Sequence, residues 1–371
     1  MRPMSEVRLG DICELKYGKS LPAAKRSGSG YGVFGSNGQV GKHDAAVTSG
    51  PTIVVGRKGS FGNVVWSGAA CWPIDTAYYV DEADCDLRWL YRVLGWLPLR
   101  EMNRAAAVPG LNREDAYALP VLLPSREEQR RIAAVLDASD ALRTKRREAI
   151  TKLDTLTPAI FVDMFGDGAP PVSPGTNYGS DEVRVPITDL AVMGTGHTPN
   201  RNREEYWDGD ISWVNLNEIR ELSGRVTNRT ELKITPEGVA NSSAVVHPAG
   251  TVCFSRTASV GFVTVMGEPM TTSQDFVTWT CGPDLNPTFL MHALLASRDV
   301  LRASSSGSTH KTIYVRDAER FRVVLPPRSA QDDFARRIKL LDDLAPGMKH
   351  EAAQLDTLFA SLQQRAFRGV L

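Results

Sequence analysis

The feature that most constrains this 371-residue chain is that it is written twice. A repeat has to be recognised before any other element, because a missed one misassigns the whole fold. The stretch LPSREEQRRIAAVLDASDALRTKRREAITKLDTL begins at Leu123, and LPPRSAQDDFARRIKLLDDLAPGMKHEAAQLDTL begins at Leu325. At a constant offset of 202, Pro124 matches Pro326, Gln129 matches Gln331, Leu153-Asp154-Thr155-Leu156 matches Leu355-Asp356-Thr357-Leu358, and Phe165 matches Phe367. Upstream, at an offset of 199, Arg57-Lys58-Gly59-Ser60-Phe61-Gly62 matches Arg256-Thr257-Ala258-Ser259-Val260-Gly261. Each of these follows a β-rich run, TIVVG or TVCFS, and precedes another, NVVWS or FVTVM.

The repeating unit is therefore a β-rich globular segment followed by a long helix. The expected divisions are a globular segment over 1–124, a helix over 125–165, a linker over 166–182, a second globular segment over 183–325 and a second helix over 326–368. Glycine and proline mark the linker. Pro124 and Ser125, with Glu127 and Glu128 in the first turn, open the first helix.

Apolar positions in the helices follow a 3-4 alternation, the spacing of a coiled-coil seam. In the first helix they are Ile132, Val135, Leu142, Leu153, Leu156 and Ile160, interrupted by Ser139, Arg146 and Ala149. In the second they are Phe334, Leu341, Leu344, Leu355, Leu358 and Leu362, interrupted by Arg337, Met348 and Glu351. A 40-residue helix is about 60 Å long. So narrow and long a stripe is expected to pack against a second such helix, antiparallel to it if a pseudo-two-fold axis relates the two globular segments; the alternative is that each helix packs on its own globular segment. Pro158 and Pro346 should each kink its helix or cost about 3 kcal/mol. The basic run Arg143-Thr144-Lys145-Arg146-Arg147 lies between Asp140 and Glu148 and reads as a solvated or partner-facing surface.

Composition removes several classes. No run of about 18 apolar residues exists to span a membrane, and the first residues, MRPMSEVRLGDICEL, lack the apolar core of a secretory signal. The five cysteines (Cys13, Cys71, Cys85, Cys253, Cys281) are scattered without a CxxC pair, so the expectation is a reducing cytoplasm, with no disulfide framework and no zinc site. The formal charge is zero, so no basic excess announces a nucleic-acid partner.

Catalytic motifs are not found. The stretch Gly35 to His43 has the wrong glycine spacing for a phosphate-binding loop, and His43 stands where a hydroxyl is needed. Gly28-Ser29-Gly30-Tyr31-Gly32 precedes no helix, as a dinucleotide or S-adenosylmethionine site would require. Asn286-Pro287-Thr288-Phe289 reads as a helix start. The six histidines show no metal-ligand spacing, and no nucleophile elbow occurs.

Polar loops recur instead, at matching places in both copies. In the first they carry Ser36, Asn37, Gln39, Arg57, Lys58, Ser60, Asn112 and Arg113. In the second they carry Thr198, Asn200, Arg201, Arg256, Thr257, Ser259, Thr309, His310 and Lys311. These residue types hold phosphates and read base edges: arginine reads guanine, asparagine and glutamine read adenine.

The stretches YGVFGSNGQVGKHD from Tyr31, IVVGRKGSFGNV from Ile53 and GHTPNRNREEYWDGDISWVNLNEI from Gly196, with the two LP-x-x-x-x-Q helix openings, resemble the specificity subunit of type I restriction–modification systems. The resemblance covers nearly the whole chain. It implies an α+β fold, with two mixed α/β target recognition domains separated by two long antiparallel helices in an internal pseudo-two-fold repeat. Each domain would read one half of a split double-stranded DNA site. The helices would set the spacing and dock two modification subunits, and two restriction subunits would complete the nuclease. No cofactor would reside in this chain; S-adenosylmethionine, ATP and magnesium would belong to its partners. Two other readings stand beside this one. One is a helix-pair scaffold for protein partners without sequence-specific DNA binding, favoured by zero net charge. The other is a stand-alone enzyme, resting only on the glycine turns.

Overall fold

A computed structural model describes residues 5–102, 110–166, 170–175, 183–307 and 311–371. The chain divides into two compact units, residues 1–149 with 348–371, and residues 150–347. Each unit thus holds one globular segment and a part of each long helix.

In unit 1 the elements are β1 (Ser5–Arg8), β2 (Lys16–Tyr17), β3 (Tyr31–Gly35), β4 (Gly38–His43), β5 (Thr52–Gly56), β6 (Val64–Ser67), β7 (Cys71–Pro73), β8 (Ala77–Val80), α1 (Leu87–Trp96), α2 (Arg113–Tyr117), β9 (Pro120–Leu123) and the first long helix, α3 (Arg126–Phe165). The β-branched run of β5 is fully buried at the centre of an antiparallel sheet of order β2-β8-β5-β6. A smaller sheet has the order β4-β3-β7, with β3 and β7 parallel. Helix α1 buries Trp89, Leu90, Val93 and Leu94 against Ile53, Val55, Tyr78 and Val80. Their i, i+1, i+4, i+5 spacing puts them on one face, and each contributes about 1.5–3 kcal/mol before entropy.

Unit 2 contains β10 (Val172–Ser173), β11 (Arg184–Pro186), β12 (Ala191–Thr195), β13 (Trp207–Val214), α4 (Ile219–Leu222), β14 (Val226–Thr227), β15 (Lys233–Ile234), α5 (Pro236–Ala240), β16 (Thr251–Ser255), β17 (Val263–Met266), β18 (Thr271–Thr272), β19 (Phe276–Cys281), α6 (Pro287–Ala296), α7 (Arg298–Ala303), α8 (Val315–Ala318), β20 (Arg322–Val324) and the second long helix, α9 (Arg328–Phe367). Its sheets repeat those of unit 1. The order β12-β19-β16-β17 reproduces β2-β8-β5-β6, with β14 added at one edge, and β15-β13-β18 reproduces β4-β3-β7. Strands β13 and β18 are parallel, as β3 and β7 are. The fold is α+β, and the repeat seen in the sequence is a repeat of topology.

The loop after β5 and its counterpart after β16 are built alike. Gly62 N–H bonds Gly56 C=O at 2.8 Å, and Gly261 N–H bonds Ser255 C=O at 2.9 Å. Gly59 has φ +71°, and Ala258, its counterpart, has φ +56°. The second copy thus places a Cβ in the left-handed region that glycine occupies without strain.

The glutamine of the two LP-x-x-x-x-Q openings clamps each long helix to its globular segment. Gln129 accepts from Asp86 N–H at 2.6 Å and donates to Pro124 C=O at 2.8 Å. Gln331 accepts from Asn286 N–H at 2.8 Å and donates to Pro326 C=O at 2.8 Å. Asp86 and Asn286 are in turn the N-caps of α1 and α6. Replacing either glutamine by alanine strands a buried donor and acceptor. We expect Gln129→Ala and Gln331→Ala each to lower stability by about 1–3 kcal/mol in urea unfolding; a loss indistinguishable from that of a surface alanine would refute the clamp.

The helix seam lies half on the expected positions and half one residue later. In α3 the inward face runs Ile132, Leu136, Ser139, Arg143, Arg146, Ile150, Leu153, Thr157 and Ile160; in α9 it runs Phe334, Ile338, Leu341, Ala345, Met348, Ala352, Leu355, Phe359 and Leu362. Leu142, Leu156, Leu344 and Leu358, expected in the seam, are 57%, 42%, 57% and 50% exposed, and Val135 is half-buried. The reason is that the inward face is not wholly apolar. In unit 1, Arg143 Nε reaches Asp356 Oδ1 at 2.7 Å with its guanidinium 4.2 Å from the Phe359 ring centre, and Arg146 pairs with Glu351. As 143 pairs with 356 and 146 with 351, these segments run antiparallel. Both helices continue through the prolines expected to interrupt them, Pro158 and Pro346.

The two units secure their helices by different chemistry. In unit 1, Arg88 and the buried Arg92 of α1 bind Asp137 at 2.6 Å each, and Arg92 also binds Asp140 at 3.0 Å. The alternation continues through Arg143, Asp356 and Arg147. In unit 2, the rings of Phe161, Phe165, Phe289, His292 and Phe334 form one cluster. The stretch expected to be only a linker also contributes to unit 2. Val172 and Ser173 are buried as β10, paired with β20, because Val172 N–H finds Ser297 Oγ at 2.8 Å.

Candidate nucleic-acid interface

The end of β5 gathers several of the candidate residues of unit 1. Ser36 Oγ, in the β3–β4 turn, lies 2.6 Å from Lys58 C=O and 2.7 Å from Thr76 C=O. Arg57 donates from Nη2 to Asp75 C=O at 2.9 Å, and its own C=O accepts from Leu111 N–H at 2.9 Å. Lys58 bridges to Gly110. These bonds bring the segment around Asn112 and Arg113 beside Arg57. Asn112 is spent as the N-cap of α2, accepting from Glu114 N–H at 2.9 Å. Asn37, Lys58 and Ser60 are exposed on the neighbouring turns, and Gln39, exposed on β4, donates from Nε2 to Gly41 C=O at 3.2 Å.

A tyrosine that sequence reasoning passed over sits at the centre of this edge. Tyr17 is 51% exposed, with the Arg57 and Arg113 guanidinium groups 5.2 and 5.1 Å from its ring centre. Both lie within the range of cation–π attraction. Tyr78 packs on Tyr17 at 5.1 Å, and burial first, then its hydrogen bond to Tyr17, pushes its phenol up to about 12. Asn63 adds a further link, bonding Ser36 C=O at 3.3 Å and receiving Arg100 Nη2 at 2.5 Å.

Unit 2 repeats the scaffold of this edge. Arg256 donates from Nη2 to Gln274 C=O at 2.6 Å, and its C=O accepts from Ile313 N–H at 2.9 Å. Thr257 bridges to Thr312, and Ala258 N–H bonds Lys311 C=O at 3.0 Å. Thr198 Oγ1 bonds Gln274 Oε1 at 2.6 Å, which joins Thr198 to the Arg256 site. Ser259 uses its C=O to accept from Ser255 Oγ. Asn200 stiffens its own turn by accepting from Asn202 N–H at 3.0 Å, and Arg201 is exposed beside it. Thr309 and His310 lie outside the described residues.

Ser36, Asn112 and Asn200 therefore use their polar side chains within the fold, and Arg57 and Arg256 are partly committed to backbone carbonyls. Among the described residues no three His, Cys, Asp or Glu side chains are placed to hold a metal, and no helix is long and apolar enough to cross a membrane. The cysteines are free, and burial pushes Cys13, Cys85 and Cys281 up to about 12.

Comparison with known proteins agrees with the duplicated plan. The model of the type I restriction modification DNA specificity domain matches residues 1–152 and 180–355. The chain is 25% identical over 183 residues to the type I restriction enzyme MjaIX specificity subunit of Methanocaldococcus jannaschii, covering 49% of this chain and 42% of that protein. It is 28% identical over 141 residues to the EcoprrI specificity subunit of Escherichia coli, covering 36% of this chain and 35% of that protein. The matched stretches thus span less than half the length of these relatives. In fold, it superposes with a TM-score of 0.63 on the crystal structure of the type I S subunit from M. genitalium, at 14% identity, covering 98% of this chain and 96% of that one. A chain solved in work on complex assembly and conformational transition of the type I system gives a TM-score of 0.58 at 16% identity, with 100% and 99% covered. A chain that carries this domain over most of its length, written twice, belongs to the type I restriction modification DNA specificity family.

Proposed function

We propose that this chain is the non-catalytic DNA-reading subunit of a type I restriction–modification complex. Each unit reads one half of a bipartite double-stranded site through the loop edge at the end of β5 or β16. The observation that carries this reading is the repetition of one scaffold, Arg57 with Leu111 and Arg256 with Ile313, beside different surface side chains. A common scaffold with different surfaces is what two heads need to grip one duplex at two different sequences. Helices α3 and α9, each about 60 Å at 1.5 Å per residue, act as the spacer between half-sites. Their exposed leucines, Leu142, Leu344 and Leu358, are apolar surface for docking two modification (methyltransferase) subunits. S-adenosylmethionine, ATP and magnesium belong to those subunits and to two restriction subunits, and the complex works in the cytoplasm. Zero net charge fits this division, because large partners supply part of the phosphate contact.

The test is gel retardation of the chain reconstituted with its modification subunits. Binding to DNA carrying the motif methylated in the source genome should exceed binding to a scrambled duplex by at least about 1,000-fold at physiological salt. Equal binding to both would overturn the reading and favour a protein scaffold.

A further inference from the structure

The geometry points to Arg113, whose guanidinium lies 5.1 Å from the Tyr17 ring centre, as a sequence-reading side chain of unit 1 that contacts a guanine in the major groove. This rests on the DNA-reading function proposed above and narrows it to one residue pair. The argument comes from comparing the two copies within the chain. The phosphate backbone is the same whatever the sequence, so phosphate-binding and scaffold residues can be kept in both heads. Residues that read different half-sites have to differ.

Arg57 and Arg256 are the kept kind. They occupy matching places, and each spends Nη2 on a backbone carbonyl. Tyr17 and Arg113 are the differing kind. Tyr17 pairs with Tyr78 in the sheet, and the matching pair in unit 2 is Thr195 with Val277. Arg113 opens α2, and Val315 opens α8 at the matching place, two residues after the bonds from Leu111 and Ile313. At these matching places unit 2 therefore has neither the ring nor the second guanidinium; its exposed tyrosine, Tyr314, lies one residue before Val315, with the Arg316 guanidinium 5.7 Å from its ring centre.

The fold gives little reason for this cluster to exist where it does. Tyr17 leaves half its surface in solvent, and the Arg113 ion pair with Glu114 is at 3.3 Å with Glu114 71% exposed. What the ring supplies is order: a guanidinium lying on an aromatic face gives up less freedom when its planar fork engages a base edge. Bidentate pairing with guanine O6 and N7 is the contact such a fork makes.

The experiment uses the complete complex in cells and reads the methylated motif by sequencing modified DNA. Arg113→Val combined with Tyr17→Thr, the residues unit 2 carries, should relax one guanine position of one half-site by about 10- to 100-fold and leave the other half-site intact. Arg113→Lys should relax the same position, whereas Tyr17→Phe, which keeps the ring, should retain the consensus. Full recovery by Arg113→Lys would make Arg113 a phosphate contact and overturn the proposal. An unchanged motif in the double variant would overturn it as well. Uniform loss at every position, with the Arg113→Lys motif intact, would do the same. Absence of any sequence-specific methylation by the wild-type complex would instead overturn the underlying DNA-reading function, so the two failures are distinguishable.

Discussion

Phe334→Ala is expected to destabilise unit 2 by about 3–5 kcal/mol, the range for emptying a buried phenylalanine site. Phe334 is fully buried in the second turn of α9. Its ring lies 5.4 Å from Phe161, 5.6 Å from Phe165 and 5.3 Å from His292, all in edge-on geometry. Such pairs add about 0.5–1.5 kcal/mol beyond the area they bury. Collapse of the cavity is hindered because its walls come from three helices, α3, α6 and α9, each fixed by other contacts. Urea unfolding of wild type, Phe334→Leu and Phe334→Ala should give a graded loss, with leucine in between. A loss under about 1 kcal/mol for alanine would mean the cluster is not what holds α9 to unit 2. The matching residue in unit 1 is Ile132, also buried, but there the polar ladder from Arg88 to Arg147 shares the work.

How much of this was legible beforehand depends on how local each signal is. The repeat and the two helices were legible, because a gapless match and 40 residues of helical spacing are carried within single stretches of chain. The seam was only half legible. Leucine at 142, 344 and 358 looked like core, but the inward places beside them belong to Arg143, Ala345 and Phe359, and the reason for Arg143 to face inward is Asp356, 213 residues away. The interface shows the same limit. Arg57 was visible as an arginine among glycines, yet nothing near it in the chain told that Asp75 C=O would take its Nη2. Tyr17 carries no pattern at all in a two-residue strand, and its partner Arg113 arrives 96 residues later. Gln129 and Gln331 stood out as a matched pair, but their task required knowing that Asp86 and Asn286 end beside them.

The contrast between the two helix anchors leads to the second large effect, on acidification. His292 of α6 is buried among phenylalanines with no hydrogen-bond partner for Nε2, and this burial pulls its pKa down to about 4 from the ordinary 6.5. Arg92 occupies the matching place in α1, where Asp137 and Asp140 receive its charge; unit 2 offers His292 rings instead. Below pH 6.5 the unfolded chain takes up a proton that the folded chain refuses, so stability falls as pH drops from 6.5 towards 4 and this loss stops below 4. At 1.36 kcal/mol per unit, the loss reaches about 2–3 kcal/mol by pH 4.5. Asp356 of the unit 1 ladder acts lower: hydrogen bonds from Arg143 and Arg147 hold it below the ordinary carboxylate range. Its contribution is lost only as pH falls through about 4 and beyond. His292 and Asp356 therefore act in separate pH windows. Urea midpoints of wild type and His292→Leu, compared at pH 7 and pH 4.5, should diverge by about 2–3 kcal/mol in favour of the variant on acidification. Parallel pH dependence would show that His292 takes up its proton inside the aromatic cluster without penalty, and that burial among rings is not what keeps it neutral.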